Sequence, residues 1–282
     1  MNKGLFKAVI VAVVVATVGQ PVKAQLKLPP ASSSQTIVQG LGIRNVTLTY
    51  SRPNMNGRTI FGGLEPYDKV WRTGANGVPT LTFEDKVMVA GHPVEPGTYG
   101  LLTIPGKSEW TVILSKNSQQ WGAYTYKQEE DALRFTVKPE RLGAPLETFT
   151  MDFSDVKPQS AKLNLAWEKT KISFDLVVDQ DAEIMAAIDE AMKGEKKPYM
   201  QAAQYYYNNN KDIQKALAWM NEADKVPNPA PYIKYWKARI QLKAGDKAGA
   251  AATAQQGLEI AKQQNNEEYE RLNGQVLAEA KK

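Results

Sequence analysis

The 282-residue chain has no cysteine and a single histidine, His92. Without cysteine there is no disulfide, no thiol chemistry and no lipid-modified cysteine at a processing site, so a lipoprotein is excluded. One histidine and no carboxylate pair at ligand spacing leave a transition metal without its usual donors. No metal, cofactor or catalytic residue is therefore assigned. A Ser-His-Asp triad would have to use His92, and no Gly-x-Ser-x-Gly turn accompanies it. "FGGLEP" lacks the spacing and the following Lys-Ser/Thr of a phosphate-cradling loop. Beyond residue 24 no apolar run is long enough to span a bilayer.

What stands at the start is a leader. Lys3 and Lys7 precede the uncharged run "AVIVAVVVATV" (8–18), and Val22-Lys23-Ala24 offers a small-residue cleavage pattern before Gln25. Residues 1–24 are expected to be a signal peptide, which makes the chain exported, soluble and either periplasmic or secreted. The formal charge of +5 includes Lys3, Lys7 and Lys23, so the processed chain would carry +2. Residues 25–178 hold 17 basic and 15 acidic groups, and residues 179–282 hold 15 of each. Neither half has the basic footprint of a nucleic-acid or anionic-membrane binder.

After a Pro/Ser spacer (25–34) the pattern has period two. "NVTLTYS" (45–51) and "PTLTFEDKVMVAG" (79–91) alternate. "GTYGLLTIPG" (97–106) and "EWTVILSK" (109–116) meet at a Pro-Gly turn. "ALRFTVKP" (132–139), "LETFTMDFSDV" (146–156), "SAKLNLAWEKT" (160–170) and "KISFDLVVD" (171–179) continue the series. Strands separated by turn residues, with no helix between them, predict an antiparallel β-sandwich or barrel over 35–178.

At residue 179 the period changes to that of a helix. "DAEIMAAIDEAMKG" has an acidic first turn and Gly194 where a cap belongs. The rest, to Lys282, reads as helical hairpins. A self-comparison finds an offset of 34 residues that pairs Asp212 with Asp246, Ala216 with Ala250, Ala223 with Gly257 and Val226 with Ile260. "KDIQKALAWMNEADKVPNP" and "GDKAGAAATAQQGLEIAKQ" resemble second helices of tetratricopeptide repeats, with first helices at 198–209 and 231–244. Gln204 departs from that pattern, standing where a small residue is usual. The resemblance implies a peptide or protein partner for the helical half.

The most unusual segment is "YSRPNMNGRTIFGGLEPYDKVWRTGAN" (50–76). It packs three arginines, four glycines, two prolines, two tyrosines and a tryptophan into 27 residues. Together with "PGTYGLLTIPGKSEWTVILSK" and "WGAYTYKQEEDALRF", it resembles domain of unknown function 2911 over about 35–178. That family occurs in exported proteins, chiefly of Bacteroidetes, and implies no activity. After Asn76 the family pattern continues with an acidic and a small residue; Gly77 and Val78 stand here, so no role for a carboxylate at that place carries over.

The residues of the segment make Arg52, Arg58, Tyr67, Trp71, Arg72 and Asn76 candidate ligand-binding groups. Pro53 holds Arg52 on an extended backbone, and guanidinium forks suit acidic groups while aromatic faces suit a sugar ring. Arg52, Arg72 and Asn76 are expected to converge beside Trp71 and Tyr67. Two readings fit. In one, the arginines neutralise Glu65 and Asp68 and hydrogen-bond loop carbonyls while Trp71 and Phe61 close one end of the sandwich. In the other, they form a site for an acidic or sugar-like ligand. Trp110, Trp121, Tyr124 and Tyr126 read as core or sheet-face packing. The favoured function is a non-enzymatic binding or scaffold protein. The alternative is a hydrolase of envelope or dietary glycans using Glu65 or Asp68 with Arg72, marked by a carboxylate of strongly raised pKa beside Arg72 in a cleft.

Overall fold

The computed structural model describes residues 28–282, and the expected signal segment lies outside the described residues. The chain divides between Val177 and Val178 into a β unit and a helical unit. No helix among the described residues is long and apolar enough to cross a membrane.

The β unit is built of β1 (Ser33–Leu41), β2 (Arg44–Arg52), β3 (Thr80–Phe83), β4 (Val87–Val89), β5 (His92–Val94), β6 (Gly97–Ile104), β7 (Trp110–Ser115), β8 (Asp131–Val137), β9 (Glu140–Lys157) and β10 (Ser160–Val177). They form a six-stranded sheet ordered β1-β2-β3-β6-β7-β8 and a four-stranded sheet ordered β5-β4-β10-β9. Every pairing is antiparallel. The expected β domain followed by a helical domain is what the chain forms.

Alternation sets the core. Val46, Leu48 and Tyr50 of β2 turn inward, and so do Phe149, Met151, Leu163, Leu165 and Trp167 of the other sheet. Tyr50 joins the two layers: its hydroxyl donates to the Met151 carbonyl at 3.0 Å and accepts from the Met151 amide at 2.9 Å. The layers also meet through the main chain. β2 leaves its sheet after Arg52, and the next residues pair with β9 through Phe149 N–H to Pro53 C=O and Met55 N–H to Glu147 C=O, both 2.8 Å. Pro53 fits there because only its carbonyl is used.

Three details depart from the sequence reading. The stretch 79–91 is not one strand: β3 lies in the six-stranded sheet and β4 in the other. The stretches 160–170 and 171–179 are one continuous strand, β10, whose register shifts on either side of Glu168. Glu168 has φ 52°, a bulge conformation, and its carboxylate accepts from the amides of Ile60 and Phe61 at 3.3 and 3.4 Å. Finally, β1 is an edge strand with little burial, so its hydrophobic alternation is faint.

The helical unit contains α1 (Asp181–Ala191), α2 (Tyr199–Asn208), α3 (Ile213–Ala223), α4 (Pro231–Lys243), α5 (Lys247–Gln263) and α6 (Glu267–Ala280). Asp212 caps α3 by accepting from the Gln214 and Lys215 amides, and Asp246 caps α5 through the Gly249 amide. α1 stops at the cap residue Met192, before Gly194. Small buried residues at the repeat positions, Ala216, Ala250 and Gly257, let helices approach closely. A side chain at Gly257 would run into Asn273 of α6 and Lys234 of α4. Behind α3, Asp224 is 8 % exposed and accepts from Lys234 and Lys237 at 2.9 and 2.8 Å.

Candidate functional site

Residues 53–79 cross from β2 to β3 without forming a strand of their own, so their backbone needs other partners. The Trp71 amide and carbonyl pair with Thr103 of β6 at 2.7 and 3.0 Å, and the Asp68 amide reaches the Pro105 carbonyl at 2.8 Å. Left-handed residues bend the rest: Asn56, Asp68, Thr73 and Asn76 all have φ between 49° and 61°. Thr73 is the costliest of these, because a β-branched side chain crowds the backbone at positive φ. Its hydroxyl is buried against the Thr103 hydroxyl at 3.0 Å. Arg72 is therefore carried by a backbone held on both sides.

Tyr50, Phe61 and Trp71 of the segment face the core. Trp71 stacks on Trp167 with centroids 6.0 Å apart and meets Phe149 edge-on at 5.4 Å. Phe61 packs edge-on against Trp110 at 4.8 Å. Trp71 and Phe61 close one end of the sandwich, so Trp71 offers no ring face to a ligand. Tyr67 lies elsewhere, lining a different cleft of about 480 Å³ with Lys107, Arg141 and Lys169.

The arginines separate into different tasks. Arg52 is spent on the fold: Nε donates to the Phe149 carbonyl at 3.3 Å and Nη2 to the Thr150 hydroxyl at 3.0 Å. Arg58 folds back on its own turn, donating to the carbonyls of Met55 and Asn54 at 2.8 and 2.6 Å. Arg72 makes one long hydrogen bond, 3.4 Å to the Asn76 carbonyl, and belongs to no ion pair among the described residues. The Asn76 side chain turns away to the Ser51 hydroxyl at 3.2 Å. The expected convergence of Arg52, Arg72 and Asn76 beside Trp71 and Tyr67 is thus not what forms, because Arg52 and Asn76 each meet an internal partner first.

What does converge is Arg58, Arg72 and Glu65. All three line a half-open cleft of about 340 Å³ with Asn54, Asn56, Gly74 and Trp167. Burial pushes the Glu65 carboxyl up to about 7, against the lowering effects of Arg72, then the Trp71 indole, then Arg58. The Trp71 N–H is turned toward that carboxyl, yet it is buried without a hydrogen bond of ordinary geometry. The cleft thus holds a guanidinium that forms no ion pair among the described residues and a carboxyl that is largely neutral below pH 7. Arg72 with a protonated Glu65 can receive an acidic group by one ion pair and one donated hydrogen bond.

Two residues were misread from sequence. Trp121 and Tyr124 are not packed but 69 % and 86 % exposed, whereas Trp110 is core and Tyr126 is half-buried against Asp131 and Arg134. The signal for a loop was present in "NSQQWGAYTY", where a glycine separates aromatics in a polar stretch. This loop returns to the crossover through the Val78 amide and the Gln120 carbonyl, 3.0 Å apart.

A two-sheet antiparallel domain with a strained, aromatic-anchored crossover defines the class of the β unit. The family model "Protein of unknown function (DUF2911)" matches residues 32–176, and the chain belongs to that family. No curated protein and no solved structure matches the chain.

Proposed function

We propose that the β domain is a binding module for a small acidic ligand, held in the cleft of Arg58, Glu65 and Arg72. The observation that carries this is Arg72, which forms no ion pair among the described residues and stands at the wall of a polar cleft. An arginine placed only to support the fold would be spent as Arg52 is. Melting curves of the full chain with galacturonate, succinate and an Asp/Glu-rich peptide test it. A ligand-dependent rise in the parent that vanishes in Arg72→Ala supports the reading; no rise with any anion overturns it.

A second reading, a glycan hydrolase, draws on Glu65, whose raised pKa in a cleft beside Arg72 is the mark of a general acid. Against it stands the lining of the cleft, where among the described residues Glu65 is the one carboxyl, while glycosidic cleavage ordinarily takes two. Hydrolysis of nitrophenyl glycosides that is abolished in Glu65→Gln would favour this reading over simple binding.

For the helical half we infer tetratricopeptide-like hairpins that hold an extended peptide. The equivalent caps Asp212 and Asp246, 34 residues apart, support the repeat. A groove of about 510 Å³ lined by Tyr207, Tyr235, Arg239 and Lys243 supports the peptide. From the leader pattern of residues 1–24 we further propose that the chain is exported and begins at Gln25 after processing, which the intact mass of the exported product checks.

A further inference from the structure

We propose that the ligand of the Arg72 cleft is an acidic saccharide, a pyranose bearing a carboxylate, and that Tyr124 and Trp121 form the platform on which its ring rests. This rests on the binding reading above and names its ligand class.

The placement of Tyr124 is the starting observation. Its ring packs on Gly122, which has φ 78° and no side chain. A Cβ built on Gly122 would come within 2.7 Å of Tyr124 Cε2 and 3.4 Å of Arg72 Nη1. Gly122 therefore lies between the aromatic ring and the guanidinium, which reach it from two separate segments. A side chain at Gly122 would displace the Tyr124 ring and crowd Arg72. Trp121 adjoins the same place, bridging through its backbone to Gly77 at the end of the crossover.

Two large aromatics exposed to this degree on one short loop cost apolar hydration that burial would remove. Arg72 beside them supplies the charge that selects an acidic partner. The cleft is half-open and lined by Asn54, Asn56, Arg58, Glu65 and Arg72. An apolar acid would be enclosed by apolar walls. A sugar instead needs one aromatic surface for its C–H face and polar groups for its hydroxyls; the polar groups line the cleft, and the aromatic loop flanks its Arg72.

Calorimetric titration of the full chain with digalacturonate, galactobiose and succinate tests the inference, with parallel melting curves for each variant. Digalacturonate is expected to bind at least about tenfold more tightly than galactobiose or succinate. Tyr124→Ala and Trp121→Ala should each weaken it by about tenfold without lowering the melting temperature, and Arg72→Ala should reduce it to the level of galactobiose. Succinate binding that matches digalacturonate, depends on Arg72 and ignores both aromatic substitutions would sink the saccharide and leave the anion cleft standing. No Arg72-dependent binding of any probe would sink both. Adsorption to phosphatidylcholine vesicles, lost in Trp121→Ala and Tyr124→Ala, would assign the aromatics to a membrane surface and also overturn the inference.

Discussion

Trp71 and Trp167 lie face to face, with ring centroids 6.0 Å apart and planes inclined by 16°. One comes from the irregular crossover and the other from the longest hairpin of the β unit, so this stack ties the candidate site to the sandwich. The ring of Trp71 is core, and the residue beside it, Arg72, inherits a fixed position. Rigidity of this kind lowers the ordering cost of binding.

Trp71→Ala should remove that anchor. A buried tryptophan truncated to alanine leaves a cavity, and a loss of about 3–5 kcal/mol is expected from denaturant unfolding of the β domain. A loss below about 1 kcal/mol would mean that the crossover is held by its backbone bonds alone.

Arg52 and Arg72 should respond unequally to the same substitution. Arg52→Ala strands the hydrogen bonds to Phe149 and Thr150, at a cost of about 1.5–3 kcal/mol. Near pH 5, where Glu65 is protonated, Arg72→Ala gives up one long bond and should stay within about 0.5 kcal/mol of the parent. Equal destabilisation by both would return Arg72 to a purely architectural role.

Stability of the β domain should depend on pH through Glu65. Its folded pKa of about 7 lies above the ordinary 4.5, so the folded chain keeps a proton that the unfolded chain releases. That contribution is complete below pH 4.5 and is lost as the pH rises through about 7. Glu65→Gln should match the parent near pH 4 and exceed it near pH 8. Arg72→Ala, which removes the largest lowering influence, should shift the Glu65 transition to higher pH. Titration of melting temperature in the three proteins reads both effects.

In the helical unit, Asp224→Ala leaves Lys234 and Lys237, 11 % and 19 % exposed, without their shared carboxylate. Breaking such a buried pair costs about 3–5 kcal/mol, which should appear as early loss of helical circular dichroism in the full chain. Lys237→Ala keeps one partner in place and should cost clearly less.

The fold was legible where burial repeats with a fixed period. Val46, Leu48 and Tyr50 announce a one-sided strand, and the switch near residue 179 announces helices. Where the periodic signal weakens, the reading fails. In β10 the polar run Glu168-Lys169-Thr170-Lys171 looks like a turn, yet the strand continues through it as a bulge, from which the Glu168 carboxylate accepts from two amides across the domain. The break between β3 and β4 was hidden for the converse reason, since Glu84, Asp85 and Lys86 interrupt the alternation too briefly to separate two sheets.

The candidate site shows the same division. Composition by itself determined that residues 50–76 are special, because so many arginines, glycines and aromatics in one connection exceed what solvation requires. It also determined the backbone freedom of that connection, since glycine and asparagine admit positive φ. Only the tertiary structure decided which arginine is free. Arg52 meets β9 almost a hundred residues further along the chain, whereas Arg58 meets its own turn and Arg72 reaches only the Asn76 carbonyl. The pKa of Glu65 and the exposure of Tyr124 were decided there too, because desolvation and accessibility belong to the packed surroundings of a side chain and not to its neighbours in sequence.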